Sequence, residues 1–500
     1  MSRLPAENAN RDRLRRLLGD EFFAPAQWKR RVALWSGGIL VGLVAIGFAR
    51  CSTLAYKLFQ QIVAISPWLP LLMTPVLFAA LARLTSGPLR ATRGSGIPQV
   101  IMALDVEDAS VRQRLLSLPV IAMKMFLTLA GLAGGASIGR EGPTVHVGAG
   151  IMYWLGRRFG FDDPKAISRF ILAGGGAGIA AAFNTPLAGV VFAIEELAGT
   201  YEHRFSGIVL TAVIFAGGVS LGVLGNYAYF GRVDAGLPLL ASWLPVLLCG
   251  ICGGIGGGLF SRVILLGDHG ILGRIAALRK RWPVLFAGGC GLALATVGII
   301  GTFYGTSVYG TGYDEARSLV QADHGAGAAF GLLKLAANIS SYWAGIPGGI
   351  FSPALAVGAG MGNTIAALLP GDAGPAVVLL GMAAFLAGVT QAPLTSAVIS
   401  LELTANQNMV IPLMTVCLLA RAISSRFCPT PVYHAFARQA IAEYEKKVEE
   451  KAAAESRMVA SNDFVPPEPD AFDNKPDSTD NRASPDRSAS DQATPGNKPK

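Results

Sequence analysis

The chain has 500 residues, of which 52% are hydrophobic and only 15% are charged, and its mean hydropathy is +0.45. This composition excludes an ordinary soluble domain and predicts an all-α polytopic membrane protein, a class in which 61 glycines permit close helix packing and interrupted helices. The net charge of +9 is better explained by residues that orient the protein in a membrane than by nucleic-acid binding, because basic residues precede the first apolar run.

The N-terminal region contains a basic leader followed by two apolar segments. Residues 1–30 are predicted to form a cytoplasmic surface helix, and the alternative is an ordinary solvated end. The next segment begins near Val32, too late and too long for a cleavable signal peptide, so we expect a retained first span. Apolar segments are predicted at 32–65 and 69–81, and the second must borrow residues from the break before it.

Residues 94–98 read GSGIP and precede a short apolar segment that stops at Asp105. This segment, residues 99–104, predicts a helix too short to cross a membrane. Its N-terminus would offer unpaired N–H groups and the Ser95 hydroxyl as donors to an anion. The glycines have no Cβ that would block the close approach of that anion. An ordinary loop turn is the alternative.

Residues 139–143 read GREGP and follow a predicted apolar helix at 124–137. Glu141 lies between two glycines, and Pro143 is typical of the first turn of a helix, predicted over 144–154. A carboxylate at membrane depth costs several kcal/mol unless it meets water, an ion or a partner. The helix N-terminus favours an anion, either the Glu141 carboxylate or whatever replaces it.

Later apolar segments are predicted at 170–182, 207–224, 239–266, 284–303 and 409–420. A helix opening at Asn184-Thr185-Pro186 ends in Glu195-Glu196, and two adjacent acids cannot both face lipid. At least one should therefore reach water, a salt bridge or a buried pathway. The alternative is that both lie in solvent at the cytoplasmic end of the helix.

Two stretches resemble each other and indicate an internal repeat. Helices that begin at Pro143 and Pro353 both lead into Val-Gly-Ala, and second helices that begin at Pro186 and Pro393 both end in glutamate. The spacings are 43 and 40 residues. Interrupted segments at matching places in two halves, about 31–225 and 239–445, predict a transporter whose site lies where the repeats meet. Residues 446–500 are expected to form a disordered cytoplasmic tail.

Three competing motifs do not change this interpretation. Ser137 fits G-x-S-x-G, but a helix rather than a strand is predicted before it, so we expect no enzyme. Residues 176–181 resemble a dinucleotide fingerprint without the surrounding strands. The six cysteines, including the Cys249 and Cys252 pair, are interpreted as small buried packing residues. No metal or cofactor is expected.

Residues 30–445 resemble the CLC family of chloride channels and chloride/proton antiporters. GSGIP at 94–98, GREGP at 139–143, GxFxP at 349–353 and Tyr433 after the last span carry the resemblance. It implies a fold of inverted repeats with many tilted and discontinuous helices. It also implies a homodimer with one anion pathway per subunit.

The resemblance also implies roles for individual residues. Ser95 and Tyr433 would donate side-chain hydrogen bonds to the central chloride. Glu141 would be the gate, leaving the site when protonated, and Glu196 would be the inner proton-transfer residue. The remaining residues assigned to chloride binding contribute backbone groups or close approach: Ile350, Phe351, Gly94, Gly96 and Gly142.

Glu196 favours a proton-coupled antiporter, and the alternative is a passive, gated chloride channel. Within the family, Ser95 favours chloride over nitrate, and Tyr433 with the intact GREGP argues against fluoride exporters. Gln99 stands where many relatives carry glutamate, and we expect it to affect local electrostatics or gating. A multi-pass protein of a prokaryotic inner membrane with both termini cytoplasmic is predicted.

Overall fold

The computed structural model describes residues 25–199, 206–225, 227–233, 236–237, 239–267, 270–322, 327–370 and 374–462. Across these ranges the chain forms 19 α-helices. The first half contains α1 (Pro25–Ile65), α2 (Pro70–Ser86), α3 (Ile97–Asp105), α4 (Ala109–Leu116), α5 (Leu118–Ala133), α6 (Glu141–Arg158), α7 (Pro164–Phe183), α8 (Pro186–Phe192) and α9 (Ser206–Leu224).

The second half contains α10 (Leu239–Leu265), α11 (Gly270–Arg281), α12 (Pro283–Phe303), α13 (Tyr313–Val320), α14 (Phe330–Trp343), α15 (Phe351–Leu368), α16 (Gly374–Thr390), α17 (Pro393–Thr404), α18 (Val410–Phe427) and α19 (Val432–Asn462). A π-helical turn, Ala193–Ala198, follows α8 directly. The chain divides into two compact units, one ending at Tyr444 and the other beginning at Glu445.

Eight of the described helical segments are long and apolar enough to cross a membrane. Large apolar side chains point outward from these and neighbouring helices, as at Leu72, Phe303 and Leu368, which are 74–79% exposed. Such exposure would be unfavourable in water and is expected in lipid. The predicted all-α, multi-pass membrane protein is confirmed.

Matching pairs of helices in the two halves pack through glycine. A Cβ on Gly148 of α6 would overlap the carbonyl oxygen of Gly174 on α7. A Cβ on Gly358 of α15 would lie 2.5 Å from the carbonyl oxygen of Gly381 on α16. Backbones approach this closely only where side chains are absent. The two pairs therefore repeat one packing arrangement.

The breaks after these helix pairs also match. Asn184 ends α7 and Gln391 follows α16, and both have a left-handed φ of 59°. That conformation stops a helix, and the proline two residues later starts the next one. The interrupted helices expected from the repeat are thus built by the same local device in each half.

Several predicted boundaries were wrong. The helix predicted over 124–137 ends at Ala133, because Gly134 and Gly135 follow and Gly135 has φ +82°. The helix predicted from Thr144 begins at Glu141. The first helix begins at Pro25, inside the predicted leader, and the rest of the leader lies outside the described residues.

Two further expectations need correction. Helix α19 continues to Asn462, into the segment expected to be disordered, and spaced Lys–Glu pairs such as Lys446 with Glu450 support this exposed helix. Cys51 and Cys252 are exposed rather than buried, while the other four cysteines are buried as expected. The division into leader, transmembrane domain and tail stays a prediction.

Candidate ion-binding site

Three helix N-termini meet at one place in the interior. Gly139 and Gly349 exchange backbone hydrogen bonds of 2.7 and 2.8 Å, and Gly348 N–H donates to the Gly94 carbonyl at 3.2 Å. These loops lead into α6, α15 and α3, respectively. Because the first N–H groups of a helix have no intrahelical partner and carry positive partial charge, their convergence favours an anion.

The loop that carries Ser95 lies directly against the start of α6. The Ser95 side chain is buried, and its Oγ has no hydrogen-bond partner among the described residues. A Cβ on Gly142 would overlap that Oγ, and a Cβ on Gly96, where φ is +112°, would lie 2.7 Å from the Gly142 carbonyl. Both glycines are therefore required for the close approach.

Glu141 is the first residue of α6 and is fully buried. Neither carboxylate oxygen has a hydrogen-bond partner within the described part of the chain. The side chain turns back toward Gly139, where a Cβ would overlap Oε2. An ionised carboxylate in this position has lost its hydration and makes no hydrogen bond among the described residues, and the Arg140 guanidinium is its electrostatic neighbour.

Tyr433 approaches the same place from a distant part of the sequence. It lies in the first turn of α19, is fully buried, and its hydroxyl has no hydrogen-bond partner in the described ranges. The phenol lies beside the Ser95 hydroxyl, close to hydrogen-bonding range. Two unused hydroxyl donors therefore face a common region.

Ile350 and Phe351 complete the surroundings at the start of α15. Both are buried, and the Phe351 ring packs against Phe183 and Phe192 with ring-centroid distances of 5.7 and 6.4 Å. This packing holds the helix N-terminus toward the Gly139–Gly349 bridge. The structure thus joins the Ser95 loop and the starts of α6 and α15, and the binding of chloride there stays a prediction.

The two adjacent acids after α8 have different surroundings. Glu196 is only 3% exposed, and its Oε1 has no hydrogen-bond partner among the described residues. Glu195 instead accepts hydrogen bonds from the N–H groups of Leu394 and Thr395, at 3.2 and 2.6 Å, and so caps α17. The alternative that both acids lie in solvent at a helix end is wrong.

Glu402 repeats this contact in the opposite direction. At the end of α17 it accepts hydrogen bonds from Leu187 and Ala188, at 3.2 and 2.6 Å, and so caps α8. Sequence reasoning missed these reciprocal caps. The signal was present, because each glutamate follows the proline of its own helix by nine residues, from Pro186 and from Pro393.

Two buried lysines were also missed. Lys334 in α14 donates to the carbonyls of Val308, Tyr309 and Gly310 at 2.9, 3.3 and 2.8 Å. Lys124 in α5 is equally buried, but its Nζ has no partner in the described ranges, and its Cε lies 3.2 Å from the Cβ position of Gly96. A lone lysine inside an apolar run was the available signal.

The competing serine motif makes packing contacts and no Ser–His contact within the described ranges. Ser137 Oγ donates to Asn338 at 3.4 Å, its N–H donates to Ser341 Oγ, and the ring of His146 contacts the Leu115 carbonyl instead. Gln99 lies outside the site and donates to the Arg93 carbonyl at 2.5 Å, holding the loop before GSGIP. No group of residues suited to a metal ion occurs among the described residues.

Comparisons with known proteins point to one family of membrane transport proteins. A family model described as voltage gated chloride channel matches residues 78–425. The H(+)/Cl(-) exchange transporter ClcA of Cronobacter sakazakii is 30% identical over 452 residues, which cover 84% of this chain and 91% of that protein.

Solved structures share the fold. A slow cyanobacterial Cl-/H+ antiporter superposes with a TM-score of 0.69 at 25% identity, covering 83% of this chain and 98% of the other. A CLC-type fluoride/proton antiporter gives 0.68 at 24% identity, covering 80% and 95%. A eukaryotic CLC transporter gives 0.66 at 22% identity, covering 82% and 74%.

Proposed function

The chain belongs to the voltage-gated chloride channel (CLC) family, whose members matched above are transporters and channels rather than enzymes, and within it we propose a proton-coupled chloride antiporter. The observation that carries the proposal is the fully buried Glu141 carboxylate, without a partner among the described residues, where three helix N-termini converge. Chloride and protons are the proposed ligands, and no cofactor is part of the proposal.

Exchange follows from competition for one set of donors. While ionised, the Glu141 carboxylate occupies a place that suits an anion, and a proton removes the charge that holds it there. Chloride can then enter, held by the hydroxyls of Ser95 and Tyr433 and by the backbone N–H groups of Ile350 and Phe351. Neutral donors suit transport, because they replace part of the ion's water without holding the ion too tightly to leave.

Glu196 is the proposed inner proton-transfer residue. Its burial beside the capping contact of Glu195 separates it from bulk solvent, and its electrostatic neighbours include Tyr433 of the chloride site. A proton held on Glu196 would therefore lie near the same region as the anion. This placement supports exchange of a proton between the two glutamates.

The proposed protein is a homodimer with one pathway in each subunit. It lies in a prokaryotic inner membrane with both termini in the cytoplasm. The clustering of basic residues before the first span supports this orientation. The dimer rests on the family resemblance. Light scattering of the detergent-solubilised protein should give twice the 52.1 kDa mass of one chain after correction for detergent.

Proton movement in proteoliposomes with an outward chloride gradient and no proton gradient tests the proposal. Protons driven uphill by chloride would establish coupled antiport. Glu196→Gln should then abolish proton movement and leave chloride flux. Chloride flux without any proton movement in the wild type would instead make the protein a passive channel, the reading favoured by the description of the matching family.

A further inference from the structure

We propose that Arg93 and Arg279 form a separate anion site beside the loop that carries Ser95, where chloride is held before it reaches the Ser95 hydroxyl. Arg93 immediately precedes Gly94 of that loop, and Arg279 lies in the last turn of α11. The inference rests on the proposed function, because chloride is taken as the ion that is transported.

The two guanidinium groups converge on one backbone position. A Cβ built on Gly345 would lie 2.8 and 3.0 Å from Nε and Nη2 of Arg93 and 3.2 Å from Nη2 of Arg279. Gly345 has φ +73° and no side chain, so both groups pack against its backbone. Two positive groups from distant parts of the sequence are thereby held side by side.

No carboxylate among the described residues is bonded to the pair. Neither guanidinium has a hydrogen bond or ion pair within the described part of the chain, and the buried Nε of Arg279 has no partner there. The carboxylate that influences Arg93, Glu443, is bonded to Arg90. An anion between the two arginines would compensate both charges.

Burial and a neighbouring positive charge both act against the charged forms of the two arginines. The pKa of Arg279 is lowered to about 10, mainly by burial and to a smaller extent by the positive charge of Arg93. Burial, followed by the charge of Arg90, lowers the pKa of Arg93. Tyr342 lies near both guanidinium groups and raises the pKa of each arginine. Glu443 also raises the pKa of Arg93.

The pair is also close to the proposed chloride site. The Gly94 carbonyl accepts from Gly348 N–H at 3.2 Å, and a Cβ on Gly94 would lie 3.7 Å from the Tyr342 hydroxyl. Tyr342 is an electrostatic neighbour of both arginines and of Tyr433. An ion held by the arginines would therefore be next to the loop that carries Ser95.

The position favours a small monovalent anion as the ligand. Fixed positive charges beside an ion path raise the local concentration of anions and the rate at which they enter. A chloride ion held there can pass on to the neutral donors of Ser95 and Tyr433. The site should therefore affect the chloride concentration at which flux is half-maximal, and it should not affect the maximal flux.

Arg279→Gln and Lys280→Gln form a matched pair for the test, because both remove one positive charge from adjacent residues of α11. Lys280 is exposed, whereas Arg279 belongs to the site. Chloride flux is measured in proteoliposomes against chloride concentration. The apparent KM for chloride should rise about fivefold in Arg279→Gln and in Arg93→Gln, with maximal flux retained, and should not change in Lys280→Gln. The double variant should match either single variant, since both residues form one site.

Calorimetric titration of the solubilised chain with chloride gives a readout that does not depend on flux. Arg279→Gln should bind one chloride ion fewer per chain, and Arg279→Lys should retain it with weaker affinity. Equal KM shifts in Arg279→Gln and Lys280→Gln, or unchanged KM and chloride binding in both arginine variants, would overturn the proposal. Loss of transport in the wild type would instead overturn the proposed function.

Discussion

The two halves of the molecule share a scaffold but carry different chemistry at its centre. Gly139 and Gly349 hold the starts of α6 and α15 in matching positions through one reciprocal pair of hydrogen bonds. Two residues beyond each glycine, the first half places Glu141 and the second half places Phe351. One helix N-terminus is therefore occupied by a carboxylate, while the other is anchored by an aromatic ring.

The buried lysines differ in the same way. Lys334 uses its ammonium to hold three carbonyls of residues 308–310, whereas Lys124 has no such bonds among the described residues and lies beside Gly96. The reciprocal caps made by Glu195 and Glu402, in contrast, are nearly identical in length. The comparison teaches that symmetry is kept where the contact is structural and lost near the proposed ion path.

The largest expected effect is on proton coupling. Glu141→Gln removes the only titratable group of the matched pair Glu141 and Phe351, so proton movement should fall to background while chloride flux continues. Phe351→Leu, at the matching position, should keep coupling because it leaves the carboxylate in place. Simultaneous chloride and proton flux measurements check this, and uphill proton transport by Glu141→Gln would contradict the proposed gate.

The residues after this pair should differ in their tolerance of a side chain. A Cβ on Gly142 would overlap Ser95 Oγ, whereas the second half already carries Ser352 at the matching position. Gly142→Ala should weaken chloride binding by about tenfold or more, equivalent to roughly 1.4 kcal/mol. Ser352→Ala is the control and should bind chloride nearly as the wild type does. Equal affinities of the two variants in calorimetric titration would show that the close approach is unimportant.

Removing the buried lysines should separate structure from function. Lys334→Met leaves three buried carbonyls without their donor, and each unpaired acceptor costs about 1–3 kcal/mol. The thermal unfolding midpoint should therefore fall by several degrees. Lys124→Met breaks no described hydrogen bond and should leave the midpoint unchanged or higher. Thermal unfolding followed in detergent gives both midpoints. A larger fall in the midpoint of Lys124→Met than of Lys334→Met would show that Lys124, rather than Lys334, is the structural lysine.

The smallest effects are expected at the reciprocal caps. Glu195→Gln and Glu402→Gln each keep one acceptor oxygen and lose a charge at a helix N-terminus, which should cost about 1 kcal/mol. Because the two contacts match, the variants should lower the unfolding midpoint by similar amounts. A marked difference between them would show that the symmetry of the scaffold does not extend to its energetics.

The apolar segments, the interrupted helices and the repeat could be predicted from the sequence because they depend on local properties. Length and hydropathy define a span, and a proline after a left-handed residue starts a new helix. The ends of helices were predicted less well, as at Ala133 and Glu141, because the final turn depends on what the loop contacts. The motifs around Ser95 and Glu141 were recognised because glycines mark places of close backbone approach.

By itself, the sequence determined that this is a multi-pass helical membrane protein with a carboxylate and a hydroxyl at two glycine-rich helix starts. Only the tertiary structure decided which buried groups meet. It brings Tyr433 to the Ser95 loop, divides Glu195 from Glu196, and places Arg93 beside Arg279. These pairings join residues that are distant in sequence, or separate residues that are adjacent, so no local pattern contains them; they follow from how the helices pack.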